Sequence, residues 1–418
     1  RIEELETQVS DISEKLAEKG YHTPLIADVH FSPKVAEEAA RYASKIRINP
    51  GNYGDAFPIR KTEFTEDEYR RDIENTTKRL SSLVTICKNY GTAMRIGINH
   101  GSLSQRIISR YGDSPEGMLA SAMEFIEIMD SLGFDKLILS MKSSNTGIMM
   151  RSTRMLVDMM KKNGHIFPIH LGVTEAGEGD DGRIKSALGI CSLLYEGIGD
   201  TIRVSLTEDP EKEIPVAKRL IQYIKEASLH KLPASEAELA YKPLLFNKRK
   251  TSATHLFLRN NKPFVISDNA HSHKADMVVG KVGPEANILI LEAAGSIKKP
   301  AEKKGSLQEK AYVINCDHKT PGHEEFHKQK SDVPLIFRSR SNASWYHYQR
   351  AFALLKKAKN DAPVILHRIY DETDPGEIML RAAAELGPFF ADGLANAIWL
   401  SASSGIEKAY LSTLSFNI

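Results

Sequence analysis

The strongest constraint on the fold of this chain is a repeated alternation between short apolar segments and segments with helical spacing. Apolar runs rich in β-branched residues have the length of strands, and their uniform hydrophobicity indicates burial on both faces, as in parallel sheets. Such alternation predicts βαβ units and an α/β fold. The predicted strands of the first half are Leu25–Val29, Lys45–Asn49, Met94–Asn99, Leu137–Met141, Pro168–Val173 and Thr201–Leu206, with helices near 2–19, 33–43, 66–90, 114–132, 147–163 and 182–195.

The length of 418 residues predicts two domains, and the regular alternation of strand-like and helical segments changes near residue 227. We assign residues 1–227 to a substrate-binding barrel of the (β/α)8 TIM type, apparently without its first strands, because a helix and only six strands precede the change. A doubly wound sheet is the alternative. It is disfavoured because no glycine-rich dinucleotide fingerprint follows any strand.

Residues 228–418 are expected to form a second α/β domain, inserted and structural, with a degenerate barrel-like architecture. Its predicted strands are His255–Leu258, Phe264–Ile266, Met277–Val279, Ile288–Leu291, Tyr312–Ile314, Leu335–Phe337, Val364–Leu366 and Ile398–Leu400, with helices near 345–358 and 376–391. The charged segments Lys298–Lys310 and Asp317–Asp332 predict exposed loops.

Two segments of the chain resemble each other, and we call them the repeat segments. Residues 194–206 read LYEGIGDTIRVSL, and residues 390–402 read FADGLANAIWLSA. Each follows a helical pattern that begins with glycine. The similarity indicates that the closing helix–strand unit of a barrel is used twice, although chance similarity is the alternative.

Composition and charge exclude several classes of function. The net charge of +2 is too small for wholesale nucleic-acid binding. The three cysteines, Cys87, Cys191 and Cys316, are far apart and odd in number, which favours a reducing compartment over a disulfide framework. We find no apolar run long enough to cross a membrane and no signal peptide. A cytoplasmic location is therefore expected.

Cationic residues recur inside strands that should otherwise be apolar. We call Arg47, Arg95, Lys142 and Arg203 the cationic cluster. Each occupies an equivalent place in a different strand, and the carboxyl ends of barrel strands converge on one mouth. Charges inside buried strands are costly unless they are paired. Four of them in phase therefore predict a pocket for an anion.

The two-residue period of a strand sharpens this prediction. Residues 45, 47 and 49 share a face, as do Arg95, Gly97 and Asn99, and as do Arg203 and Ser205. Arginine forks match the geometry of phosphate oxygens, and glycine leaves room for them. The alternative is that the cluster forms salt bridges with Asp28, Glu175 and Asp200.

Three loops support an anion site to different degrees. Asn49–Asn52 and Asn99–Leu103 place glycine and small polar residues after strands, where backbone N–H groups are expected to face an anion. Glu175 opens an acidic, glycine-rich loop that is either a lid or a plain solvated loop. Lys185, on the next helix, either reaches the mouth or lies in solvent.

One sequence motif matches a zinc-binding pattern but does not predict a zinc site. Residues 323–327 match the HExxH pattern of zinc proteases, which requires an amphipathic helix with an apolar back. Here the pattern lies in a highly charged stretch without a clear third ligand. We expect a solvated loop there, with at most adventitious metal binding by His318, His323 and His327.

Five segments together resemble the family of 4-hydroxy-3-methylbut-2-enyl diphosphate synthases, in its long, three-domain form. They are PLIADVHF at 24–31, KIRINPGN at 45–52, MRIGINHGSL at 94–103, HLGVTEAG at 170–177 and GIGDTIRVSL at 197–206. The region after residue 227 resembles the middle domain of that form more loosely.

The resemblance implies a reaction, a cofactor and a set of site residues. 2-C-methyl-D-erythritol 2,4-cyclodiphosphate would be opened reductively to (E)-4-hydroxy-3-methylbut-2-enyl diphosphate, with electrons from flavodoxin or ferredoxin passing through a [4Fe–4S] cluster. The implied substrate contacts are Asp28, His30, Arg47, Asn49, Arg95, Asn99, Lys142, Lys185, Arg203 and Ser205, with Glu175 catalytic.

The sequence departs from that family in one respect that matters for activity. The family's cluster ligands, three cysteines and a glutamate, have no counterpart here, because none of the three cysteines has the CxxC spacing. We therefore expect this chain to bind the substrate without turning it over. A redox-inactive barrel that binds a phosphorylated or pterin-like ligand is the competing hypothesis. The sequence is also compatible with a homodimer.

Overall fold

A computed structural model of the chain describes most of its residues and divides them into two compact units. The described residues are 5–29, 32–54, 63–229, 248–252, 263–267, 276–278, 288–292, 309–317, 332–403 and 405–418. The first unit contains Arg1–Glu175 with Gly197–Ser205, and the second contains Ala176–Glu196 with Leu206–Ile418. The boundary between residues 227 and 228 stays a prediction.

The first unit is built on a row of parallel strands, which confirms the predicted α/β fold. The strands are β1 (Ile26–Asp28), β2 (Lys45–Ile48), β3 (Ala93–Asn99), β4 (Leu137–Lys142), β5 (His170–Leu171) and β6 (Thr201–Ile202). They are neighbours in chain order, and a bridge between Leu139 and Ile169 joins β4 to β5. This order is that of consecutive βα units in a barrel.

Helices connect these strands and supply the apolar residues that cover the sheet. They are α1 (Leu5–Glu18), α2 (Pro33–Ala39), α3 (Pro50–Gly54), α4 (Glu66–Tyr90), α5 (Gln105–Tyr111), α6 (Pro115–Ser131) and α7 (Thr146–Asn163). Local sequence sets their ends. In α4, Thr65 and Glu68 form a capping box, and Gly91 ends the helix in the left-handed conformation. Sequence analysis missed the short helices α3 and α5.

The second unit contains a larger parallel sheet and six further helices among its described residues. Its strands are β7 (Phe264–Ser267), β8 (Met277–Val278), β9 (Ile288–Glu292), β10 (Glu309–Asn315), β11 (Leu335–Ser339), β12 (Val364–Tyr370) and β13 (Ala397–Ala402). Its helices are α8 (Gly179–Tyr195), α9 (Glu213–Ser228), α10 (Ser344–Lys357), α11 (Pro375–Glu385), α12 (Gly387–Ala391) and α13 (Lys408–Asn417).

The strand order of the second unit is a circular permutation of the order in the chain. The sheet runs β8-β7-β13-β12-β11-β10-β9, so the last strand pairs with the first, and within the described residues only β8 and β9 leave the circle open. All these pairs are parallel. A last-to-first pairing is how a βα barrel closes, as the predicted barrel-like second domain requires.

One face of this sheet carries the apolar core of the second unit. The buried side chains of Val313, Ile336, Ile365 and Ala397 lie side by side on neighbouring strands. Burial of a valine or isoleucine side chain contributes about 1.5–3 kcal/mol relative to exposure. The opposite face is covered by the helices of the unit, as an α/β layer requires.

The repeat segments form the same structural corner in the two units. The side chain of Asp200 accepts a hydrogen bond from Ile169 N, and that of Asn396 accepts one from Val364 N. The backbone N–H groups of Asp200 and Asn396 donate to the carbonyls of the same two residues, each at 2.8 Å. A glycine with positive φ precedes both corners. The similarity between the segments is therefore structural, which disfavours chance.

Several predicted features lie outside the described residues. They are His30, the strand His255–Leu258, the HExxH segment and most of the two charged segments. Residues 309–310, at the end of the first charged segment, belong to β10. None of the described helices combines the length and the hydrophobicity needed to cross a bilayer.

Candidate active site

The register of the first sheet brings most of the cationic cluster onto one face. Asp28, Arg47 and Arg95 are cross-strand partners on β1, β2 and β3, and Asn99 is the partner of Lys142 on β4. Partners on parallel strands point to the same side, and Arg95 shares a face with Asn99. The structure therefore confirms the predicted side-chain alternation of these strands.

Arg47 is buried and held by its neighbours. Its guanidinium donates to Asp28 Oδ1 at 3.2 Å, to Asn99 Oδ1 at 3.2 Å and to the carbonyl of Gly97 at 3.4 Å. A Cβ atom on Gly97 would lie 2.2 Å from Arg47 Nε. Only glycine at position 97 therefore leaves room for this arginine. Burial lowers the pKa of Arg47, and the attraction of Asp28 opposes that shift.

Arg95 and Lys142 are buried without a salt-bridge partner in the described part of the chain. They are 6% and 5% exposed, neither forms a salt bridge there, and Arg95 Nε has no hydrogen-bond partner. Burial, followed by repulsion from Arg95, Arg203 and Arg47, lowers the pKa of Lys142 to about 7. Burial also lowers the pKa of Arg95 to about 10. An uncompensated buried cation is costly, and a bound anion would remove that cost.

Within the described residues, the salt-bridge alternative accounts for Arg47 but not for Arg95 or Lys142. Asp28 pairs with Arg47, but Asp200 instead accepts a hydrogen bond from the backbone of Ile169. Glu175 is exposed and forms no salt bridge within the described residues. The balance of charge on this face therefore favours an anion site.

His170 is a further residue near these cations. It lies in a strand that the sequence predicts, but it was not among the predicted substrate contacts. It is 8% exposed, and its Nδ1 lies 2.8 Å from Thr201 Oγ1. Its Nε2 is buried and has no hydrogen-bond partner within the described ranges. Burial, then repulsion from Arg95 and Lys142, lowers its pKa to about 2. The imidazole is therefore neutral at physiological pH.

The loops differ from the prediction, because their backbone N–H groups already have partners. Gly51 N donates to Asn49 Oδ1 at 3.0 Å, and Asn49 directly precedes the helix α3 rather than an open turn. Gly101 N donates to Asp113 Oδ1 at 3.1 Å, and Ser102 N donates to the carbonyl of Asn99. The expectation that these N–H groups face an anion is wrong. Side chains must supply the donors.

The other predicted residues have defined positions. Arg203 and Ser205 follow β6, with Arg203 exposed and Ser205 half-buried. Glu175 follows β5 and has φ of 52°, a conformation that side-chain-bearing residues rarely adopt. Lys185 is an exposed residue of α8, in the second unit. The roles of all the site residues in binding stay predictions.

No described residues form a metal or cluster site. All three cysteines are buried in separate elements, and no group of three or more His, Cys, Asp or Glu side chains converges within the described residues. Burial raises the pKa of Cys87 to about 12 and raises the pKa values of Cys191 and Cys316 as well. These thiols do not fit the ligand set of an iron–sulfur cluster.

Fold and site together define a parallel β/α barrel protein with buried cationic side chains near the carboxyl ends of its strands. The model of the GcpE TIM-barrel domain matches residues 2–218, which is more than half of the chain. The chain therefore belongs to the family of 4-hydroxy-3-methylbut-2-en-1-yl diphosphate synthases that this domain defines, as the five segments indicated.

Relatives agree with this assignment along nearly the whole chain. The flavodoxin-dependent 4-hydroxy-3-methylbut-2-en-1-yl diphosphate synthases of Phocaeicola vulgatus and Parabacteroides distasonis are each 38% identical over 98% of this chain and 71% of their own lengths. The Leptospira interrogans synthase is 53% identical over 50% of this chain and 32% of its own. A solved β-glucosidase from Exiguobacterium marinum matches with a TM-score of 0.27 and 10% identity, too low for an argument.

Proposed function

We propose that this chain supplies the substrate-binding barrel for the reductive opening of 2-C-methyl-D-erythritol 2,4-cyclodiphosphate in isoprenoid biosynthesis. The observation that carries the proposal is the pair of buried cations, Arg95 and Lys142, without a carboxylate partner in the described residues. A cyclic diphosphate presents its phosphate oxygens on a compact ring. A concave face that carries arginine guanidinium groups and a lysine ammonium group suits such a ligand.

The cationic cluster orients the diphosphate by charge-assisted hydrogen bonds. Arg47 is fixed by Asp28, so its guanidinium keeps one geometry before the substrate arrives. Asn49, Asn99 and Ser205 are proposed to complete the polar lining, with His30 and Lys185 as further contacts. His170 is added here as a neutral group that faces the same cations.

Glu175 is the proposed catalytic residue of this chain. Its positive φ is a strained conformation for a residue with a side chain, and such strain concentrates at functional sites. The carboxylate follows β5 at the end of the sheet where the cationic cluster lies. A carboxylate in that place can transfer a proton to or from a ring oxygen as the ring opens.

The redox part of the reaction is proposed to involve groups outside these 418 residues. A [4Fe–4S] cluster would supply the electrons to the bound substrate, with flavodoxin or ferredoxin as the donor. The described cysteines do not fit such a cluster, so its ligands are assigned to another part of the full protein or to a partner. Residues 228–418 are proposed as an inserted spacer without a direct role in ring opening. The proposed location of the protein is the bacterial cytoplasm.

The test is turnover by the full gene product. Protein reconstituted anaerobically with iron and sulfide should consume the cyclic diphosphate with reduced flavodoxin or a strong chemical reductant. Glu175→Gln should lower kcat far more than it weakens substrate binding. Reconstituted protein that carries a cluster, binds the substrate and still fails to open it would refute the proposal.

A further inference from the structure

The second unit has its own row of hydrogen-bond donors, separate from the site in the first unit. Asn315, Arg338, His367 and Trp399 are successive cross-strand partners on β10, β11, β12 and β13. They lie on the same face as the apolar core, one layer closer to the carboxyl ends of the strands. We call these four residues, with Ser401, the donor row.

His367 is fixed in one tautomer by its neighbours. Arg338 Nε donates to His367 Nδ1 at 3.1 Å, because an arginine can only donate. The pKa of His367 is lowered well below its ordinary value, by burial and then by the charge on Arg338. The imidazole is therefore neutral with its proton on Nε2, and Nε2 donates to Ser401 Oγ at 3.0 Å.

This arrangement is the reverse of a catalytic Ser–His pair. In a hydrolytic triad a carboxylate accepts from Nδ1, and Nε2 is left as the base for serine. Here Nε2 carries the proton, so His367 cannot take one from Ser401. The hydroxyl of Ser401 instead accepts a hydrogen bond from His367, so its own O–H is left to donate to a different acceptor. Ser401 is therefore a donor for a ligand, and acyl-transfer chemistry is disfavoured.

Trp399 adds an unsatisfied donor to the same layer. Its ring stacks on that of His367 with 3.6 Å between centroids, and the residue is 5% exposed. Its indole N–H is buried and has no hydrogen-bond partner among the residues that the structure describes. A buried donor without a partner is costly, and such groups call for a specific explanation. An acceptor supplied by a ligand would provide one.

The repeat segments connect this layer with the site of the first unit. Aligning the corners at Asp200 and Asn396 places Ser401 at the position of Ser205, and Trp399 at the position of Arg203. Ser205 follows β6 of the first unit and comes two residues after Arg203 of the cationic cluster. The corresponding strand end of the second unit therefore also presents a serine hydroxyl to the inner face of a parallel sheet, where ligands of such folds bind.

The carboxylate nearest to the donor row along β10 is already occupied. Asp317 accepts hydrogen bonds from the Ser339 hydroxyl and the Arg340 backbone, and His347 Nδ1 lies 3.3 Å from its Oδ1. The side-chain oxygen of Asn315 accepts from Asp317 N, which leaves the amide N–H groups of this exposed residue to donate. The layer thus offers donors, and the ligand must supply acceptors.

We propose that the donor row binds a small oxyanion, a phosphate or a carboxylate, at the carboxyl ends of β10 to β13. The site is additional to the diphosphate site and does not depend on the proposed reaction. It gives the second unit a binding role beyond that of a spacer.

Fluorescence of Trp399 provides a direct test, because the chain has two tryptophans and Trp345→Phe leaves only this one. The protein with that change is titrated with inorganic phosphate and, separately, with malonate, against potassium chloride at matched ionic strength. We expect a saturable change with at least one of the two anions. That result distinguishes a phosphate source from a carboxylate source.

Variants then locate the site. Ser401→Ala should weaken the titrated binding at least about tenfold, equivalent to about 1.4 kcal/mol. Asn315→Ala, at an exposed position that tolerates the change, should also weaken it. Ser403→Ala is the matched control and should have no effect, and the signal should persist in Arg95→Met, which impairs the first site. Absence of saturable binding, or binding that Ser401→Ala and Asn315→Ala leave unchanged, would overturn the proposal.

Discussion

Two buried arginines of the first unit lie in opposite electrostatic surroundings. Arg106 is 1% exposed and donates to Asp72 at 2.6 Å and to Glu124 at 2.9 Å. Although burial lowers the pKa of Arg106, the two carboxylates raise it above its ordinary value. Burial lowers the pKa of Arg95, and the attraction of Asp28, which forms no salt bridge with it, does not offset that shift. Arg106 therefore has a structural role, whereas Arg95 is available to a ligand.

This contrast predicts opposite effects of the same substitution. Arg95→Met should leave the free energy of unfolding unchanged or higher, because it removes an uncompensated buried charge, but should weaken substrate binding by about 1.5–3 kcal/mol. Arg106→Met should instead destabilise the fold by about 3–5 kcal/mol, because it leaves two carboxylates unpaired. Urea unfolding and calorimetry measure the two quantities. Equal destabilisation by both changes would remove Arg95 from the ligand site.

The lowered pKa of Lys142 predicts a pH dependence with a definite sign. Between about pH 7 and pH 10.5 the unfolded chain keeps the lysine proton that the folded chain has released. The free energy of unfolding should therefore rise with pH in this window, as the penalty for a buried charge disappears. A bound diphosphate favours the charged amine, so affinity should fall as the pH rises above about 7.

Calorimetry in two buffers of different ionisation enthalpy can detect the proton taken up on binding. Wild-type protein should take up part of a proton at about pH 8 and almost none at about pH 6. Lys142→Arg stays charged and is the control, with little pH dependence. His170 is neutral across this range and should not contribute. Equal pH dependence in the Lys142→Arg protein would assign the titration to another group.

At the scale of the element, β3 shows how a strand is adapted to carry a charge. Its alternate residues Arg95, Gly97 and Asn99 share one face, and the missing side chain at Gly97 is replaced by the guanidinium of Arg47 from β2. Overpacking at such a position forces neighbouring side chains out of their rotamers. The glycine therefore makes room for Arg47 at the proposed site.

Gly97→Ala should displace Arg47 from Asp28 and Asn99. We expect destabilisation of about 1–3 kcal/mol, together with weaker substrate binding, because the guanidinium loses its fixed position. Thermal unfolding and calorimetry provide the measurements. Gly405→Ala is the control, since a Cβ atom there meets nothing within 4 Å. Unchanged binding by the Gly97→Ala protein would show that Arg47 is not a substrate contact.

At the scale of the whole molecule, the chain combines the proposed substrate site with three thiols that do not fit the ligand set of an iron–sulfur cluster. The three cysteines are buried, and burial raises their pKa values, so the metal-binding thiolate form is disfavoured. Substrate recognition and electron supply are thus assigned to different parts of the enzyme.

The 418-residue chain by itself should therefore bind the cyclic diphosphate without turning it over. After anaerobic treatment with iron and sulfide it should show no visible iron–sulfur absorbance, and reduced flavodoxin should yield no product. Calorimetry on the same sample verifies that the substrate site is intact. Turnover by this chain, with binding abolished by Arg95→Met, would place a cluster within these residues and contradict the assignment.

The sequence by itself determined the α/β class, the six strands of the first unit and the cationic cluster. Periodicity is local, so the face shared by Arg95 and Asn99 could be read from neighbouring residues alone. The repeat segments were equally local, and their shared corner around Asp200 and Asn396 confirms that reading. Family membership followed from the five segments for the same reason.

Only the tertiary structure decided which charges are compensated. The sequence offered Asp28, Glu175 and Asp200 as partners, but register and burial gave Arg47 a carboxylate and left Arg95 and Lys142 without one in the described residues. The tertiary structure also showed that the backbone N–H groups of Gly51 and Gly101 already donate to side-chain oxygens. Ion pairs and hydrogen bonds depend on distances between residues far apart in the chain, and these distances are set only when the strands pair.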